Sequence, residues 1–196
     1  MSRPSTVYRL VALLSRPLQW LYRMDARGTE NLPTTGGFVL AANHTSNFDP
    51  WPLGLPLFPE RYLRFMGKSE LFWWPLGALI AGAGAFKVRR GQSDVGAIAT
   101  AVELVRNGEI VVMFPEGTRQ KKGLVKKHQP RAHTGAARIA RDADAPLIPA
   151  AIKGTDKLVR LAPLKVVYGR PMEASDDLQE TTARLMAEIR RLHETL

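Results

Sequence analysis

Gly37-Phe38-Val39-Leu40-Ala41-Ala42-Asn43-His44-Thr45-Ser46-Asn47-Phe48-Asp49-Pro50 is the stretch around which the rest of the chain is organised. Its first six residues form a short apolar run that contains Phe and Val and begins at a glycine, which is typical of a buried strand. His44 therefore emerges at the carboxyl end of that strand. Ligands and chemistry collect at this end of the strands in open α/β sheets.

Asp49-Pro50 follows His44 by five residues, and this pair is typical of a helix that begins with an N-cap and a proline. The chain must reverse between His44 and Asp49, so the carboxylate can accept a hydrogen bond from one imidazole nitrogen while the other faces a substrate. A general base held in one tautomer by an acid has this arrangement. The spacing is a weak signal by itself, and it equally allows an Asp49 that only caps a helix.

The composition is that of one globular domain with an anionic partner. Of the 196 residues, 45% are hydrophobic and 23% are charged, so the chain can bury a sizeable core. The absence of cysteine excludes disulfides, thiolate zinc sites and cysteine nucleophiles, and is compatible with a reducing cytoplasm. The formal charge of +10 leaves nucleic acid, an anionic membrane surface and phosphorylated small molecules open.

Residues 1–24 are predicted to form a membrane-docking segment ahead of a domain that spans residues 25–196. Between Thr6 and Met24, aliphatic and aromatic residues are interrupted by three arginines and a proline, so the segment is unsuited to spanning a bilayer. It also lacks the cleavage site of a signal peptide. One or two short amphipathic helices in the lipid headgroup region fit this pattern, and the alternative is a helix packed on the domain's own core.

Apolar strands alternate with helices along the rest of the chain, which predicts an α/β domain with a largely parallel central sheet flanked by helices. Further strands are expected near 25–30 and at 61–66, 110–114, 145–152 and 164–168, with helices at 93–107 and 133–141. Ser175 is expected to cap a final helix. The core face of that helix is expected to carry Leu178, Leu185, Ile189, Leu192 and Leu196.

The most apolar stretch of the chain runs from Leu71 to Phe86. It is too short and too rich in glycine for a membrane span, and its small residues allow another element or an alkyl chain to approach the backbone. Core packing alone explains most of it. The adjacent Trp73 and Trp74 each need a partner for the indole N–H, so they also fit a lipid interface.

A second polar segment follows the apolar run that ends at Phe114, namely Pro115-Glu116-Gly117-Thr118-Arg119. From Arg119 to Arg131 the chain then carries four lysines and a histidine but no acid, which creates a concentrated positive field. The alternative is a solvated charged loop. A position at a strand's carboxyl end favours a role in binding.

These segments, taken together, resemble the glycerolipid acyltransferases, the family typified by 1-acyl-glycerol-3-phosphate acyltransferase. The family's Asn-His-x4-Asp motif is Asn43-His44 to Asp49 here, and its Phe-Pro-Glu-Gly-Thr-Arg motif is present in full at residues 114–119. The second motif is degenerate at residues 84–90, with Arg89 where members usually carry an acid. The fourth is the apolar strand with Pro149, and the order of all four makes the match specific.

The resemblance implies transfer of a fatty acyl group from acyl-CoA or acyl carrier protein to a hydroxyl of a lysophospholipid, with lysophosphatidic acid giving phosphatidic acid. Glycerol 3-phosphate, other lyso-glycerolipids and glycolipids are alternative acceptors. No bound cofactor and no metal are expected. The expected partners are the lipid acceptor, the acyl donor and the membrane surface, and the expected location is the cytoplasmic face of the cell membrane, peripherally bound.

Catalysis is assigned to His44 as the general base and to Asp49 as the group that orients it, while Ser46 is expected to bond to the turn backbone. Glu116 is expected to contact an acceptor hydroxyl or to hold Arg119. The acceptor and its phosphate are assigned to Lys68, Arg90, Glu116, Gly117, Thr118 and Arg119. The expected supports of the motifs are Asn43, Pro115 and Pro149.

Three other classes of protein fit less well. A nucleic-acid-binding protein would interleave basic residues with stacking aromatics, whereas Trp51, Trp73 and Trp74 lie in apolar runs. A non-enzymatic basic peripheral membrane protein would leave the motifs unexplained. A zinc hydrolase is disfavoured because His128 and His133 are five residues apart, not the four of a His-Glu-x-x-His helix.

Overall fold

The apolar runs of the sequence form the strands of one sheet. A computed structural model describes residues 5–88, 95–117 and 132–196 of the protein. The strands are β1 (Asp25–Arg27), β2 (Phe38–Ala42), β3 (Leu63–Lys68), β4 (Ala85–Val88), β5 (Ile110–Met113), β6 (Leu147–Lys153) and β7 (Lys165–Tyr168). They pair in the order β1-β7-β6-β2-β5-β3-β4. Every pair is parallel except β6 and β7, which confirms the predicted largely parallel sheet.

Strand β2 lies at the centre of this sheet and is buried along its whole length. Ala41 pairs with Met113 of β5 on one side and with Pro149 of β6 on the other. Because the three strands are parallel, their carboxyl ends open at the same edge of the sheet. The segments that follow β2, β5 and β6 therefore meet there.

Helices cover both faces of the sheet. They are α1 (Thr6–Leu14), α2 (Arg16–Leu21), α3 (Pro50–Gly54), α4 (Leu76–Gly82), α5 (Val95–Arg106), α6 (Gly135–Ala143) and α7 (Leu178–Glu194). Alternate residues of β2 serve the two cores: Val39 packs in the cluster formed with α5, α6 and α7, and Leu40 packs in the cluster that contains Leu53 of α3. This is the two-sided burial expected of a parallel sheet.

The predicted amino-terminal segment is a pair of short helices with one face on the domain. The N–H of Leu63 donates to the Tyr8 hydroxyl oxygen at 3.3 Å, and the Tyr8 ring packs edge-on against Tyr62. At the α1–α2 junction, Ser15 is buried and its Oγ accepts from Trp51 Nε1 at 2.8 Å. Packing on the domain is therefore confirmed for this face of the segment.

The opposite face of α1 and α2 is apolar and exposed. Its large side chains are Leu10, Val11, Leu13, Leu14, Leu18, Trp20 and Leu21. Trp73, Trp74 and Leu79, before and within α4, are exposed as well. In the described part of the chain, no helix has the length and apolar character that a membrane span requires.

The prediction that Ser175 caps the last helix is wrong. Asp177 holds the N-cap position, and its carboxylate accepts from the N–H groups of Gln179 and Glu180. Asp177 does so because it directly precedes the first helical residue with an extended backbone, whereas the Ser175 hydroxyl lies 2.9 Å from Thr181 Oγ1. The predicted core face is confirmed for Leu185, Ile189 and Leu192, which are buried. Leu178 and Leu196 are only partly buried, and Leu196 lies beyond the end of the helix.

Candidate active site

His44 and Asp49 form a hydrogen-bonded pair beyond the carboxyl end of β2. His44 Nδ1 lies 2.8 Å from Asp49 Oδ2, as predicted for a base and its orienting acid. The His44 side chain is 18% exposed, whereas that of Asp49 is fully buried. Asp49 does precede α3, but its side chain makes no cap hydrogen bond to that helix. The alternative in which Asp49 serves only as a cap is therefore wrong, because its carboxylate turns back toward the histidine.

Two backbone N–H groups of the turn and two threonine hydroxyls are the remaining partners of the Asp49 carboxylate. Oδ2 accepts from the N–H groups of Thr45 at 2.7 Å and Ser46 at 2.9 Å. Oδ1 accepts from the hydroxyl of Thr155, and Thr45 Oγ1 lies 3.3 Å away. Burial by itself raises the pKa of Asp49, but the hydrogen bonds from His44, Ser46, Thr155 and Thr45 outweigh it and hold that pKa below its ordinary value.

An ionised carboxylate fixes the tautomer of the imidazole. Because the Asp49 carboxylate only accepts hydrogen bonds, His44 Nδ1 must carry a proton in this pair. The unprotonated nitrogen is then Nε2, on the other side of the ring. The geometry can therefore take a proton from a hydroxyl group placed against Nε2.

The segment after β5 supplies one wall of the site. The His44 ring stacks on Phe114 with a centroid distance of 4.1 Å and an interplanar angle of 18°. The backbone N–H of His44 donates to Glu116 Oε2 at 3.4 Å. The two motifs meet because β2 and β5 are parallel neighbours that end at the same edge.

Asn43 joins the end of β2 to β6. Its Nδ2 donates to the carbonyl of Ile152 at 2.9 Å, and its Oδ1 accepts from the N–H of the same residue at 2.8 Å. The side-chain amide of Asn43 thus extends the hydrogen bonding between β2 and β6 beyond Ala42, the last residue of β2. These two bonds tie the residue before His44 to β6, at the position where the sequence predicts a support for the motif. Ser46 Oγ accepts from the N–H of Phe48, which confirms its local bond.

Gly117 allows the Phe-Pro-Glu-Gly-Thr-Arg motif to turn tightly beside His133. Its φ is +66°, and a Cβ atom there would lie 2.4 Å from the His133 ring. The N–H of His133 donates to the carbonyl of Pro115 at 2.8 Å. Any side chain at position 117 would therefore be strained and would collide with His133, so the glycine is required by the turn itself.

The remaining predicted residues are placed only in part. Lys68 is the last residue of β3, and Pro149 lies inside β6 opposite Ala41. Arg90, Thr118 and Arg119 lie outside the described residues, as do His128 and the basic stretch 121–131. Among the residues that are described, no three His, Asp or Glu side chains are grouped as metal ligands.

Sequence reasoning missed two neighbours of the pair. It assigned no role to the ring of Phe114, and it did not consider Thr155, whose hydroxyl contacts Asp49 across 106 residues. A signal for Thr155 was present: Gly154-Thr155 follows the predicted strand β6 directly, and polar residues after parallel strands gather at one edge. That signal becomes useful only once β6 is known to neighbour β2.

Comparison with known proteins gives one consistent family. The family model described as "Acyltransferase" matches residues 23–153. The 1-acyl-sn-glycerol-3-phosphate acyltransferase of Bacillus subtilis is 35% identical over 152 residues, which are 75% of this chain and 72% of that protein. A chloroplast 1-acyl-sn-glycerol-3-phosphate acyltransferase of Brassica napus is 32% identical over 70% of this chain, and the match spans 39% of that longer protein.

A solved structure has the same fold. The crystal structure of the 1-acyl-sn-glycerophosphate acyltransferase PlsC from Thermotoga maritima superposes with a TM-score of 0.71 and 25% sequence identity. The similarity covers 94% of this chain and 77% of that one. It extends beyond the residues matched by the family model and includes most of the flanking elements.

Proposed function

This chain belongs to the acyltransferase family, and from that membership we propose that it moves a fatty acyl group onto the free hydroxyl of lysophosphatidic acid, giving phosphatidic acid. The names of the relatives from Bacillus subtilis and Thermotoga maritima support this acceptor. The observation that carries the proposal is the His44–Asp49 pair, joined through Nδ1 and Oδ2 at 2.8 Å at the edge where the motif segments meet.

In the proposed reaction, His44 acts as the general base. The acceptor hydroxyl attacks the thioester carbonyl carbon, its proton passes to His44 Nε2, and a C–O bond forms as the C–S bond breaks. The proton then passes to the sulfur of the departing thiol. Asp49 holds the Nδ1–H and stabilises the imidazolium that forms between the two proton transfers. No acyl-enzyme is required.

The acceptor phosphate is assigned to a set of basic residues near the motifs. We expect Arg119 and Arg90 to bind its oxygens, because a guanidinium presents a fork of donors that matches a phosphate, with Lys68 as a further cation. We also expect Glu116 to contact a hydroxyl of the acceptor or to hold Arg119 in place. Its carboxylate already meets the backbone of His44, so an acceptor hydroxyl bound near Glu116 would approach the base.

The acyl donor is a thioester of coenzyme A or of acyl carrier protein. Both donors present the same reacting group, so the chemistry at His44 is the same for either. The basic stretch 121–131 is proposed to bind the donor's phosphates or an anionic lipid surface, since it carries no acid.

We also propose that residues 1–24 dock the enzyme on the cytoplasmic face of the membrane. The exposed apolar face of α1 and α2 includes Leu14 and Trp20, at 72% and 84% exposure. Arg9, Arg16 and Arg23 flank it along the chain. Apolar side chains at the headgroup boundary, with roughly 1 kcal/mol per basic residue near an anionic surface, give reversible and salt-sensitive binding. A lipid acceptor would then reach the site without leaving the bilayer.

The direct test is an acceptor panel. Purified protein is incubated with labelled acyl-CoA or acyl carrier protein and, separately, lysophosphatidic acid, other lysolipids, glycerol 3-phosphate and a glycolipid, with products identified by mass spectrometry. We expect phosphatidic acid from lysophosphatidic acid to be the main product. Preferred acylation of glycerol 3-phosphate or of a phosphate-free acceptor would overturn the proposed acceptor. Turnover by a folded His44→Ala variant at the wild-type rate would overturn the mechanism.

A further inference from the structure

Thr155 is the described residue that completes the surroundings of the catalytic carboxylate, and nothing in the motifs of the sequence assigns it a role. It stands at the start of the 3-10 helix Thr155–Arg160, which follows β6, and it is buried. Its Oγ1 donates to Asp49 Oδ1. The question is whether this contact only fills the core or also serves the reaction.

The two oxygens of Asp49 are held in different ways. Oδ2 lies between His44 Nδ1 and the N–H groups of Thr45 and Ser46, all supplied by the turn that Asp49 itself closes. The contacts of Oδ1 are hydroxyl groups, those of Thr155 and Thr45. The rotation of the carboxylate about its own bond is therefore fixed from the Oδ1 side by hydroxyls.

The proton count makes Thr155 the main donor to Oδ1. A hydroxyl has one proton, and Thr155 directs its proton to Asp49 over the shorter distance. Thr45 Oγ1 lies 2.9 Å from Thr155 Oγ1 and 3.3 Å from Asp49 Oδ1, so its own proton is better used toward Thr155. The result is a short chain of hydroxyls that ends on the carboxylate.

Thr155 is placed by elements other than the turn of residues 43–49. Gly154 before it has a φ of +102°, and a Cβ at that position would lie 2.2 Å from the carbonyl oxygen of Pro163. Strand β6 is joined to the turn by the two hydrogen bonds between Asn43 and Ile152. Thr155 therefore links the end of β6 to the Asp49 carboxylate, which belongs to the segment after β2.

We infer that Thr155 is a positioning residue for the reaction: its hydroxyl fixes the plane of the Asp49 carboxylate so that Oδ2 points at His44 Nδ1 and Nε2 faces the acceptor. The inference rests on the proposed function of His44 as the base. Loss of the Thr155 hydroxyl would leave Oδ1 with only the longer 3.3 Å contact to Thr45 Oγ1. The carboxylate plane would then be held less tightly, and the imidazole would spend less time in its reactive orientation.

The test compares Thr155→Val, which keeps the shape and removes the hydroxyl, with Thr155→Ser, which keeps the hydroxyl. Thr182→Val is the matched control, because Thr182 is also buried but its hydroxyl donates to the Leu178 carbonyl inside α7. We expect Thr155→Val to lower kcat on the order of tenfold, below the full general-base contribution of about 10²–10⁴-fold. The KM values for donor and acceptor should change less than kcat, and Thr155→Ser should restore most of the activity.

Two further readouts separate positioning from a purely structural role. In a His44→Ala background, Thr155→Val should cause no further loss of turnover, because its effect passes through the histidine. The proton NMR signal of His44 Nδ1–H should shift in Thr155→Val and not in Thr182→Val. This signal needs no substrate, so it tests Thr155 even if the acceptor panel fails and the proposed function falls with it.

Three results would overturn the inference. A wild-type kcat in Thr155→Val, with a melting temperature lowered as in Thr182→Val, would make the contact structural. A Thr155→Ser variant as impaired as Thr155→Val would exclude the hydroxyl as the cause. An unchanged His44 Nδ1–H signal in a folded Thr155→Val would show that the imidazole does not depend on Thr155.

Discussion

The proposed catalytic turn, residues 43–49, and the proposed docking helices α1 and α2 present their side chains in opposite ways. In the turn, the reactive groups point inward: the Asp49 carboxylate is fully buried and bonded on both oxygens. In the helices, the large side chains point outward, and Trp20 is 84% exposed. The turn is held by directional hydrogen bonds, whereas the exposed helix face presents large apolar side chains to the solvent.

The two regions differ in the same way in their proposed roles, since the turn would carry out the reaction and the helices would hold the enzyme at the membrane. A base must hold its accepting nitrogen at hydrogen-bond distance from the reacting hydroxyl, with a tolerance of roughly 0.5 Å, and directional hydrogen bonds supply that order. A membrane surface is fluid, so a docking face needs area rather than fixed partners. The two regions touch, since Trp51 follows the catalytic turn and bonds to Ser15 between the docking helices. Variants that affect one region and spare the other test whether the division holds.

The largest effect is expected at the base. His44→Ala should lower turnover by about 10²–10⁴-fold because no other group replaces Nε2, and Asp49→Asn should lower it severely because the tautomer is no longer fixed. The loss should be equal on vesicle-borne and water-soluble acceptors, measured by product formation with folding followed by circular dichroism. A loss of turnover seen only with vesicle-borne acceptor would assign His44 to membrane docking and would contradict its role as the base.

An intermediate effect is expected for the phosphate contacts. Arg119→Ala or Arg90→Ala should remove a charge-assisted hydrogen bond of about 1.5–3 kcal/mol, which corresponds to a rise in acceptor KM of roughly 10- to 150-fold. The donor KM should change less. Steady-state kinetics with each substrate varied in turn measures both, with Arg27→Ala, on an exposed side chain of β1, as the control. If the donor KM rises instead, these arginines bind the donor's phosphates.

A smaller effect, limited to membranes, is expected at the docking face. Leu14→Gln with Trp20→Gln removes apolar surface from exposed positions and should reduce binding to anionic vesicles on the order of tenfold. Turnover of a short-chain soluble acceptor should stay at the wild-type level. The matched control, Leu14→Met with Trp20→Phe, keeps the surface apolar and should bind normally. Equal flotation of both double variants with vesicles would argue against docking through α1 and α2.

Deletion of residues 1–24 is a poorer test of docking than these point variants. The deletion would also remove Tyr8, whose hydroxyl meets the backbone of Leu63, and Ser15, which holds Trp51. It would remove the Tyr22 ring that packs edge-on against Trp51 as well. A loss of activity on soluble acceptors after such a deletion would therefore reflect damage to the domain, and the point variants avoid that.

The smallest effect is on stability against acid. The pKa of Asp49 is lower in the folded protein than in the unfolded chain, so this carboxylate stabilises the fold above its unfolded value of about 3.9 and loses that contribution as the pH falls toward the folded value. The unfolding free energy of wild type should therefore fall more steeply with acidification than that of Asp49→Asn. Denaturant titrations at a series of pH values from neutral to acidic measure both slopes, and parallel slopes would contradict the assignment.

Other carboxylates do not obscure this comparison. Hydrogen bonds from Arg141 lower the pKa of Asp142, and hydrogen bonds from Arg191 lower that of Glu188. Both groups are present in wild type and in Asp49→Asn, so their contributions cancel in the difference between the two slopes. The remaining difference belongs to the catalytic turn.

Local patterns were sufficient to predict six of the seven strands and the end of α5, but β4 (Ala85–Val88) and α4 were not predicted. The apolar runs at 37–42 and 110–114 became β2 and β5, and the predicted helix stop at Asn107-Gly108 directly follows the end of α5. These features are decided within a few residues, by burial, by turn chemistry and by the preference of glycine after a helix. The boundary near Ser175 failed because Asp177, two residues on, is an equally good cap and adjoins the helix.

The sequence by itself determined the fold class and the family, and it placed His44 and Asp49 close enough along the chain to form a pair. It left open whether Asp49 caps a helix or holds the base, and which face of the amino-terminal helices is exposed. Only the tertiary structure decided these points, because they depend on contacts between distant segments: Thr155 and Ile152 of the β6 region reach the catalytic turn, and Leu63 and Trp51 take one face of α1 and α2. Spacing along the chain encodes local geometry, whereas the partner of a buried carboxylate or an apolar helix face is set by which strands become neighbours in the sheet.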